Sequence, residues 1–549
     1  MKLSRLESYP IRPGVLAALV ALAAVLAPGC APPGASGPDL ILTGGIIYPS
    51  GTTDTTSQAL AIQDDRILAL GSDAEIFALV GDATQQMRLD GSVVLPGLYD
   101  AWIDLEALGR WPGGLDLRRA TTPREIQSRL RATLGSGGEG WILGWGWDET
   151  RWPRPELPSY RLLDEVESER PVLLVHRSDQ LGWLNSAAMD RSNLRSSSPA
   201  QGVLLAPDGS WNGLVTDDAL RGMLQSLEPE PQVRKGWIAN GLRTAVAAGL
   251  TRVTTSPIDA TAVMLLQQLA ADGDLPIRVE MRVRPDAVDD LERLSFDPEW
   301  LTLAAVGLDL DGPFGPRLAA LDQGYSDAAG LGWRSLDPET VSRACLQAER
   351  WGLRFDVQAH GDLAIGAALR CALLTEGSGM LVGADLLPAD FAESLRGARV
   401  AAVPMRLEHD LAFIESRIGP ERAPLSHAYR SLLARGSLAA FASMAPRYPL
   451  APMASLFVAW KRQDLRGYPI DAWVAPERLS LDDLMRLALG LGSGAVGLSE
   501  GAAADLVIWS QDPFVASEDS LLQTRAMVTF VAGRVVYSRP LAQASPSGG

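Results

Sequence analysis

Val94-Leu95-Pro96-Gly97-Leu98-Tyr99-Asp100-Ala101 divides the chain into two rhythms. Upstream, short apolar runs at 40–43, 46–48, 59–62 and 66–70 alternate with turn signals such as Gly44-Gly45 and Gly71, a spacing that predicts a small antiparallel sheet. Downstream, apolar runs are separated by longer amphipathic segments. Strand-like runs fall at 172–176, 250–255, 277–283, 303–310, 354–359, 399–403 and 438–442, with 141–145 and 380–384 as further candidates. Between them, 231–248, 338–351, 362–374 and 481–491 carry the helical period, and Asp337-Pro338 offers an N-cap and a first-turn proline. Strand and helix alternating over this length predict a parallel (β/α)8 TIM-like barrel over 96–492. Sheet signals return at 504–509, 527–531 and 535–537, so the flanks 39–95 and 493–540 are expected to pair into one small β-sandwich domain, with 541–549 a disordered tail. The fold class is α/β.

Of the 549 residues, 47% are hydrophobic and 21% charged, enough for a large buried core and unlike a disordered chain. Acidic residues outnumber basic ones by 66 to 49, and the net charge of −17 without a long Lys/Arg cluster argues against nucleic acid as a partner. Three cysteines are too few for a disulfide framework. Cys345 and Cys371 fall on expected amphipathic helices and read as buried free thiols.

Cys30 follows a different pattern. Lys2, Arg5 and Arg12 precede an apolar run over 15–26, too short to span a bilayer, which ends in Ala27-Pro28-Gly29-Cys30. With the Pro/Gly/Ser/Ala tether at 31–38, residues 1–30 resemble a bacterial lipoprotein signal with Cys30 as the lipidated residue. Leu26 stands one position early for the usual box, and Pro28 intrudes. The expected location is the bacterial cell envelope, membrane-bound through the lipid anchor, with ordinary secretion or a soluble periplasmic protein as the alternative.

Several separated motifs carry a family resemblance across nearly the whole body of the chain. The stretch 94–101 resembles the opening of the amidohydrolase superfamily. Gly144-Trp145-Gly146-Trp147-Asp148, Trp152-Pro153, Trp183-Leu184-Asn185-Ser186-Ala187-Ala188 and Ala504-Asp505-Leu506-Val507 are similar to its family 3 branch. The resemblance implies hydrolysis of amide or cyclic-amide C–N bonds with zinc or another divalent metal. It also implies four histidine ligands, a bridging carboxylated lysine or carboxylate, and an aspartate base at the barrel-strand ends.

Those implied positions hold other residues here. Trp102-Ile103-Asp104 stands where the family has His-x-His, and Gln180 where a histidine precedes the Trp-x-Asn-Ser motif. Gly307 falls at the lysine position, Gln358 at the His-Ala-x-Gly-Asp histidine, Gly383 at a further histidine and Met444 at the base. Losing a metal-bound water would forfeit on the order of 12 kcal/mol in the ease of making hydroxide. The expectation is therefore no metal cofactor and a pseudoenzyme that binds a small-molecule ligand in the old pocket or a partner on its surface. An active hydrolase with a rebuilt site and a structural envelope lipoprotein remain alternatives.

The candidate pocket residues are Trp145, Trp147, Asp148, Trp183, Asp311 and His360, with core packing the competing reading for the tryptophans. Of the chain's four histidines, His176 reads as a hydrogen-bonded core or mouth residue, His409 as solvated, His427 as a surface helix start, and His360 as nearest a former ligand position. A hard-cation site from Asp104, Gln358 and Asp311 is a further possibility. Replacing Cys30→Ser is expected to move the mature protein from the membrane to the soluble fraction. Unchanged partitioning on fractionation would count against lipidation.

Overall fold

A computed structural model describes residues 37–539 apart from 111–114, 135–139, 179, 193–201, 207, 228, 292–295, 333–337, 372–378, 392–394, 396, 491 and 493–496. Cys30, the expected signal and most of the tether, and the expected tail lie outside the described residues. Eight strands form one parallel sheet in sequential order: β1 (Leu98–Ile103), β2 (Leu250–Ile258), β3 (Arg278–Val283), β4 (Leu301–Asp309), β5 (Arg354–Ala359), β6 (Met380–Gly383), β7 (Arg399–Ala402) and β8 (Leu438–Phe441). Most strand residues are buried on both faces, as a parallel sheet covered by helices requires. The seam between β8 and β1 is bridged by the segment that follows β8. The Met444 N–H donates to the Trp102 carbonyl and the Asp104 N–H to the Ala445 carbonyl, each at 2.9 Å. The Ser443 N–H donates to the Asp100 carboxylate, also at 2.9 Å.

The connecting helices start where local chemistry favours it. Pro231–Ala247 opens with a proline, whose missing N–H would have no partner in a first turn. Leu481–Ala488 opens with Ser480, whose hydroxyl accepts from the Asp483 N–H at 3.1 Å. No helix among the described residues is long and apolar enough to cross a membrane.

The chain flanks form two sheets packed on each other. One orders Arg66–Gly71, Ala59–Gln63, Leu40–Thr43 and Gln85–Arg88; the other orders Ile46–Ile47, Val93–Pro96, Leu506–Trp509, Ala526–Val531 and Arg534–Ser538. Leu42, Leu60, Ile62, Val94, Leu506 and Phe530 share their core. The expectation of a wholly antiparallel arrangement is corrected, because Leu40–Thr43 runs parallel to Gln85–Arg88 and Ile46–Ile47 parallel to Val93–Pro96.

Two further expectations fail. Ile142–Trp147 and Val172–His176 are not barrel strands. They belong to a six-stranded sheet inserted between β1 and β2, together with Leu115–Asp116, Leu181–Leu184, Trp211–Thr216 and Val203–Leu205. The cause is local: Leu181–Leu184 folds back antiparallel on Val172–His176 and takes the edge that a barrel neighbour would need. β1 and β6 complete the eight instead. Cys345 and Cys371 are not free thiols either. They form a disulfide with Cα atoms 6.1 Å apart across 26 residues, which helical periodicity on each segment does not reveal. Cys345→Ser is expected to lower stability by about 2–4 kcal/mol in denaturant melts. Reductant should have that effect on the parent and none on the variant.

Candidate functional site

At the C-terminal ends of the barrel strands, arginine side chains occupy the interior. Arg282, from β3, is 1% exposed and reaches across the barrel. Its Nη2 donates to Asp356 Oδ2 of β5 at 2.7 Å and to the Ala101 carbonyl of β1 at 3.2 Å, and its Nη1 to the Thr255 carbonyl of β2 at 2.5 Å. Arg406, following β7, is fully buried and donates to Asp385 Oδ2 and to the Met444 sulfur. Arg447, after β8, donates from Nη1 to Gln358 Oε1 at 3.2 Å.

The positions singled out in the sequence surround these guanidiniums. The Trp102 indole lies under Arg282 at 4.2 Å, a desolvated cation–π contact. A Cβ on Gly307 would lie 2.4 Å from Arg282 Cδ, so a side chain there and Arg282 exclude each other in their present placement. Gly383 has φ +96°, and a Cβ there would lie 2.8 Å from Arg406 Nη1. Sequence reading missed the arginines. The available signal was Arg282 itself, a charge between Met281 and Val283 in a strand otherwise fit for a core.

A cavity of about 560 Å3 opens over these strand ends, lined by Trp102, Asp104, Gln180, Gly307, Asp309, Met444 and Arg447, with Arg221 and Arg284 on its outer wall. Asp104 accepts from the Ala107 N–H at 2.8 Å, and Gln180 donates to the Asp311 carbonyl at 3.2 Å. Burial raises the pKa of Asp309, opposed by Arg447, Arg282, Arg221 and Arg406.

Beneath the cavity runs a buried series of carboxylates and imidazoles. Asp148 Oδ2 lies 2.9 Å from His409 Nε2, His409 Nδ1 3.2 Å from Asp410 Oδ1, and Asp410 Oδ2 3.3 Å from His427 Nε2. His427 Nδ1 is 3.6 Å from Asp385 Oδ1, and Asp385 Oδ2 is 2.8 Å from His360 Nδ1. The reading of His409 as solvated and His427 as a surface residue is therefore corrected: both are buried against Asp410, with Asp148 beside His409 and Asp385 beside His427. Burial alone would lower the His409 pKa, but Asp148 and Asp410 raise it to about 9. Burial pushes the Asp385 carboxyl up, and Arg406 with His360 more than reverses this, holding it well below the usual range.

Other expected pocket residues lie elsewhere. Trp147 and Trp183 pack with Trp152 and His176 in the core of the inserted sheet, with ring centroids 4.7 to 5.9 Å from Trp147. Trp145 is buried in a separate cluster of that sheet and meets the Arg110 guanidinium at 4.6 Å. Apolar burial thus places all three away from the mouth. Asp311 accepts the backbone N–H groups of Ala320, His360 and Gly361 at 2.8 to 2.9 Å, so it ties two loops together. With Asp311 and Gln358 so engaged, the hard-cation site from Asp104, Gln358 and Asp311 is not assembled.

Asp148, Glu149 and His176 form a different group. All three are buried, and one ligand atom from each lies within 4.8 Å of the others. They stand at adjacent strand ends of the inserted sheet, beyond Ile142–Trp147 and at the end of Val172–His176. Glu149 Oε2 is 3.0 Å from His176 Nε2, and neither atom makes a hydrogen bond of good geometry. One imidazole and two carboxylates are a donor set that suits a borderline or hard divalent cation. The barrel strand ends present the carboxylates of Asp104 and Asp309 among guanidinium, indole, amide and thioether groups.

An eight-stranded parallel barrel with a cavity over its strand ends and a β-sandwich from both chain ends is a TIM-like barrel with an appended β-domain. The chain belongs to the amidohydrolase family, whose model matches residues 87–537. It is 27% identical to the protein LONG AFTER FAR-RED 3 of Arabidopsis thaliana, over 92% of this chain and 93% of that one. It is 25% identical to the putative amidohydrolase YtcJ of Bacillus subtilis (strain 168), over 90% and 99%. Among solved structures it resembles an uncharacterised metal-dependent hydrolase from Pyrococcus horikoshii OT3, with a TM-score of 0.72, 24% identity, and 87% and 99% coverage. The expectation that no divalent metal is involved is corrected, since Asp148, Glu149 and His176 are grouped as cation ligands can be.

The buried His360 generates a pH dependence. Burial, then the nearby Arg406, lowers its pKa to about 4 against the ordinary 6.5, although Asp385 acts the other way. Between those two values the unfolded chain binds the proton and the folded one does not, so this contribution makes stability fall as pH drops from about 6.5 to about 4. It amounts to up to about 3 kcal/mol. His360→Gln should flatten that limb in thermal melts across pH; an unchanged slope would remove His360 as its origin.

Proposed function

We propose that this chain is an exported member of the amidohydrolase family that uses its barrel mouth to bind a small molecule without hydrolysing it. The observation carrying this reading is the remodelled strand ends, where Arg282 and Arg406 fill the interior below a cavity of about 560 Å3. Two buried guanidiniums oppose a divalent cation at that spot, while their firm attachment to Asp356 and Asp385 leaves the cavity above them open. Asp148, Glu149 and His176 would hold a cation beside the barrel. When bound there, it supplies positive charge that offsets the two carboxylates and Lewis acidity toward any oxygen that reaches it. The Cys345–Cys371 disulfide supports maturation in an oxidising compartment, in keeping with export.

A second reading, an active hydrolase with a rebuilt site, is favoured by the same three-residue group. Both are tested by assaying N-acyl amino acids and cyclic amides with added Zn2+ or Mn2+, and by ligand-dependent melting shifts. The binding reading expects melting shifts without turnover. Metal-dependent turnover abolished by Glu149→Gln would overturn it in favour of the hydrolase.

A further inference from the structure

The tether enters the β-sandwich at Gly37-Pro38, and that point is held in place. The Pro38 carbonyl accepts from Thr84 Oγ1 at 2.7 Å, Thr84 Oγ1 accepts from the Gly81 N–H at 2.9 Å, and the Asp39 N–H donates to the Ile62 carbonyl at 2.9 Å. Gly37 lies against residues 79–81: a Cβ on it would stand 2.8 Å from the Gly81 nitrogen and 3.2 Å from the Leu79 carbonyl oxygen. Cys30 stands seven residues before Gly37. At no more than about 3.6 Å per residue, the chain keeps it within about 25 Å of that point.

The surface beside the entry point is apolar. The short helix Asp73–Phe77 turns Ile76 into a core with Ile41, Ala59 and Ala61. Its outer side and continuation, Phe77-Ala78-Leu79-Val80-Gly81, carry no polar side chain. Phe77 is 58% and Leu79 39% exposed, with Ala78 exposed between them. An exposed run of apolar side chains is retained where another surface covers it. Asp73, Glu75 and Asp82 flank the run, and no Lys or Arg occurs from residue 67 to 87. A second exposed apolar group, Leu465, Tyr468 and Ile470, belongs to the loop after the helix Pro452–Lys461 and is the rival position.

We propose that the face formed by Phe77, Ala78 and Leu79 rests on the lipid bilayer, entering the headgroup boundary beside the acyl anchor at Cys30. This rests on the reading of Cys30 as lipidated and adds which surface of the protein meets the membrane. Tethering at that distance makes the contact intramolecular, so two large apolar side chains suffice where they would not hold a free protein. The acids at the rim stay in water and favour a zwitterionic over an anionic lipid surface.

The test uses the full, acylated chain in phosphatidylethanolamine and phosphatidylcholine vesicles that contain lipids with a nitroxide high on the acyl chain. Acylation blocks Cys30 and the disulfide occupies Cys345 and Cys371, so Phe77→Cys or Ile470→Cys supplies a single free thiol for a bimane label. The label at position 77 should lose at least about half of its emission, and the label at 470 little, because only the former enters the interface. Replacing phosphatidylcholine by phosphatidylglycerol should weaken the quenching at 77. A label on Ala78→Cys in a Phe77→Asp/Leu79→Asp background should stay membrane-bound through Cys30 and escape quenching. Equal quenching at 77 and 470, quenching at 470 alone or at neither, or quenching that survives the two aspartates would overturn the assignment and leave the anchor standing. Self-association of the Cys30→Ser chain that Phe77→Asp abolishes would assign the face to a second copy instead. A parent chain that does not enter the vesicles would overturn both readings.

Discussion

The Arg282–Asp356 pair lies where the barrel is most enclosed, with side chains 1% and 0% exposed and 2.7 Å apart. Two charges taken out of water cost several kcal/mol each, and the pair tolerates this because its remaining hydrogen bonds are met. Arg282 bonds strands on three sides of the barrel, while the other Asp356 oxygen takes the Met380 N–H at the start of β6. Removing one partner would leave the other charge buried alone, typically a loss of 3–5 kcal/mol. The room for Arg282 depends in turn on Gly307 having no side chain, and the face it presents to Trp102 is covered by the indole.

Arg406 repeats the arrangement on the opposite arc, with Asp385 as counter-ion, Gly383 beside it and Met444 against it. The unusual residues at the strand ends therefore belong together physically. Trp102, Gly307, Gln358, Gly383 and Met444 each accommodate or contact an arginine, so changing one of them alone toward a histidine or lysine would meet a guanidinium rather than an open coordination site. The charges of Arg282 and Arg406 are thus balanced inside the protein, below the cavity that Arg447 and Asp309 line.

The series from Asp148 to His360 connects the inserted sheet to the barrel interior through two carboxylate–imidazole–carboxylate steps and a final carboxylate–imidazole contact. Asp148 also belongs to the group with Glu149 and His176, so that group includes a carboxylate shared with His409 and Arg177. Coupling of this kind requires contiguous contacts, and here they are contributed by segments over two hundred residues apart in sequence.

The amino-acid sequence by itself determined the fold class and the family. Periodicity and turn chemistry are local, and motifs such as 94–101 and 504–507 are read without any tertiary knowledge. Only the tertiary structure decided that Ile142–Trp147 and Val172–His176 leave the barrel, since strand partnership depends on which edge a hairpin fills first. It also decided that Cys345 meets Cys371, that His409 and His427 are buried between acids, and that the pocket tryptophans are core. The sequence placed Trp102, Gly307, Gln358, Gly383 and Met444 at the strand ends but could not explain them. Their reason is the volume and charge of Arg282, Arg406 and Arg447, contributed by other segments, and such contacts exist only once the barrel has closed.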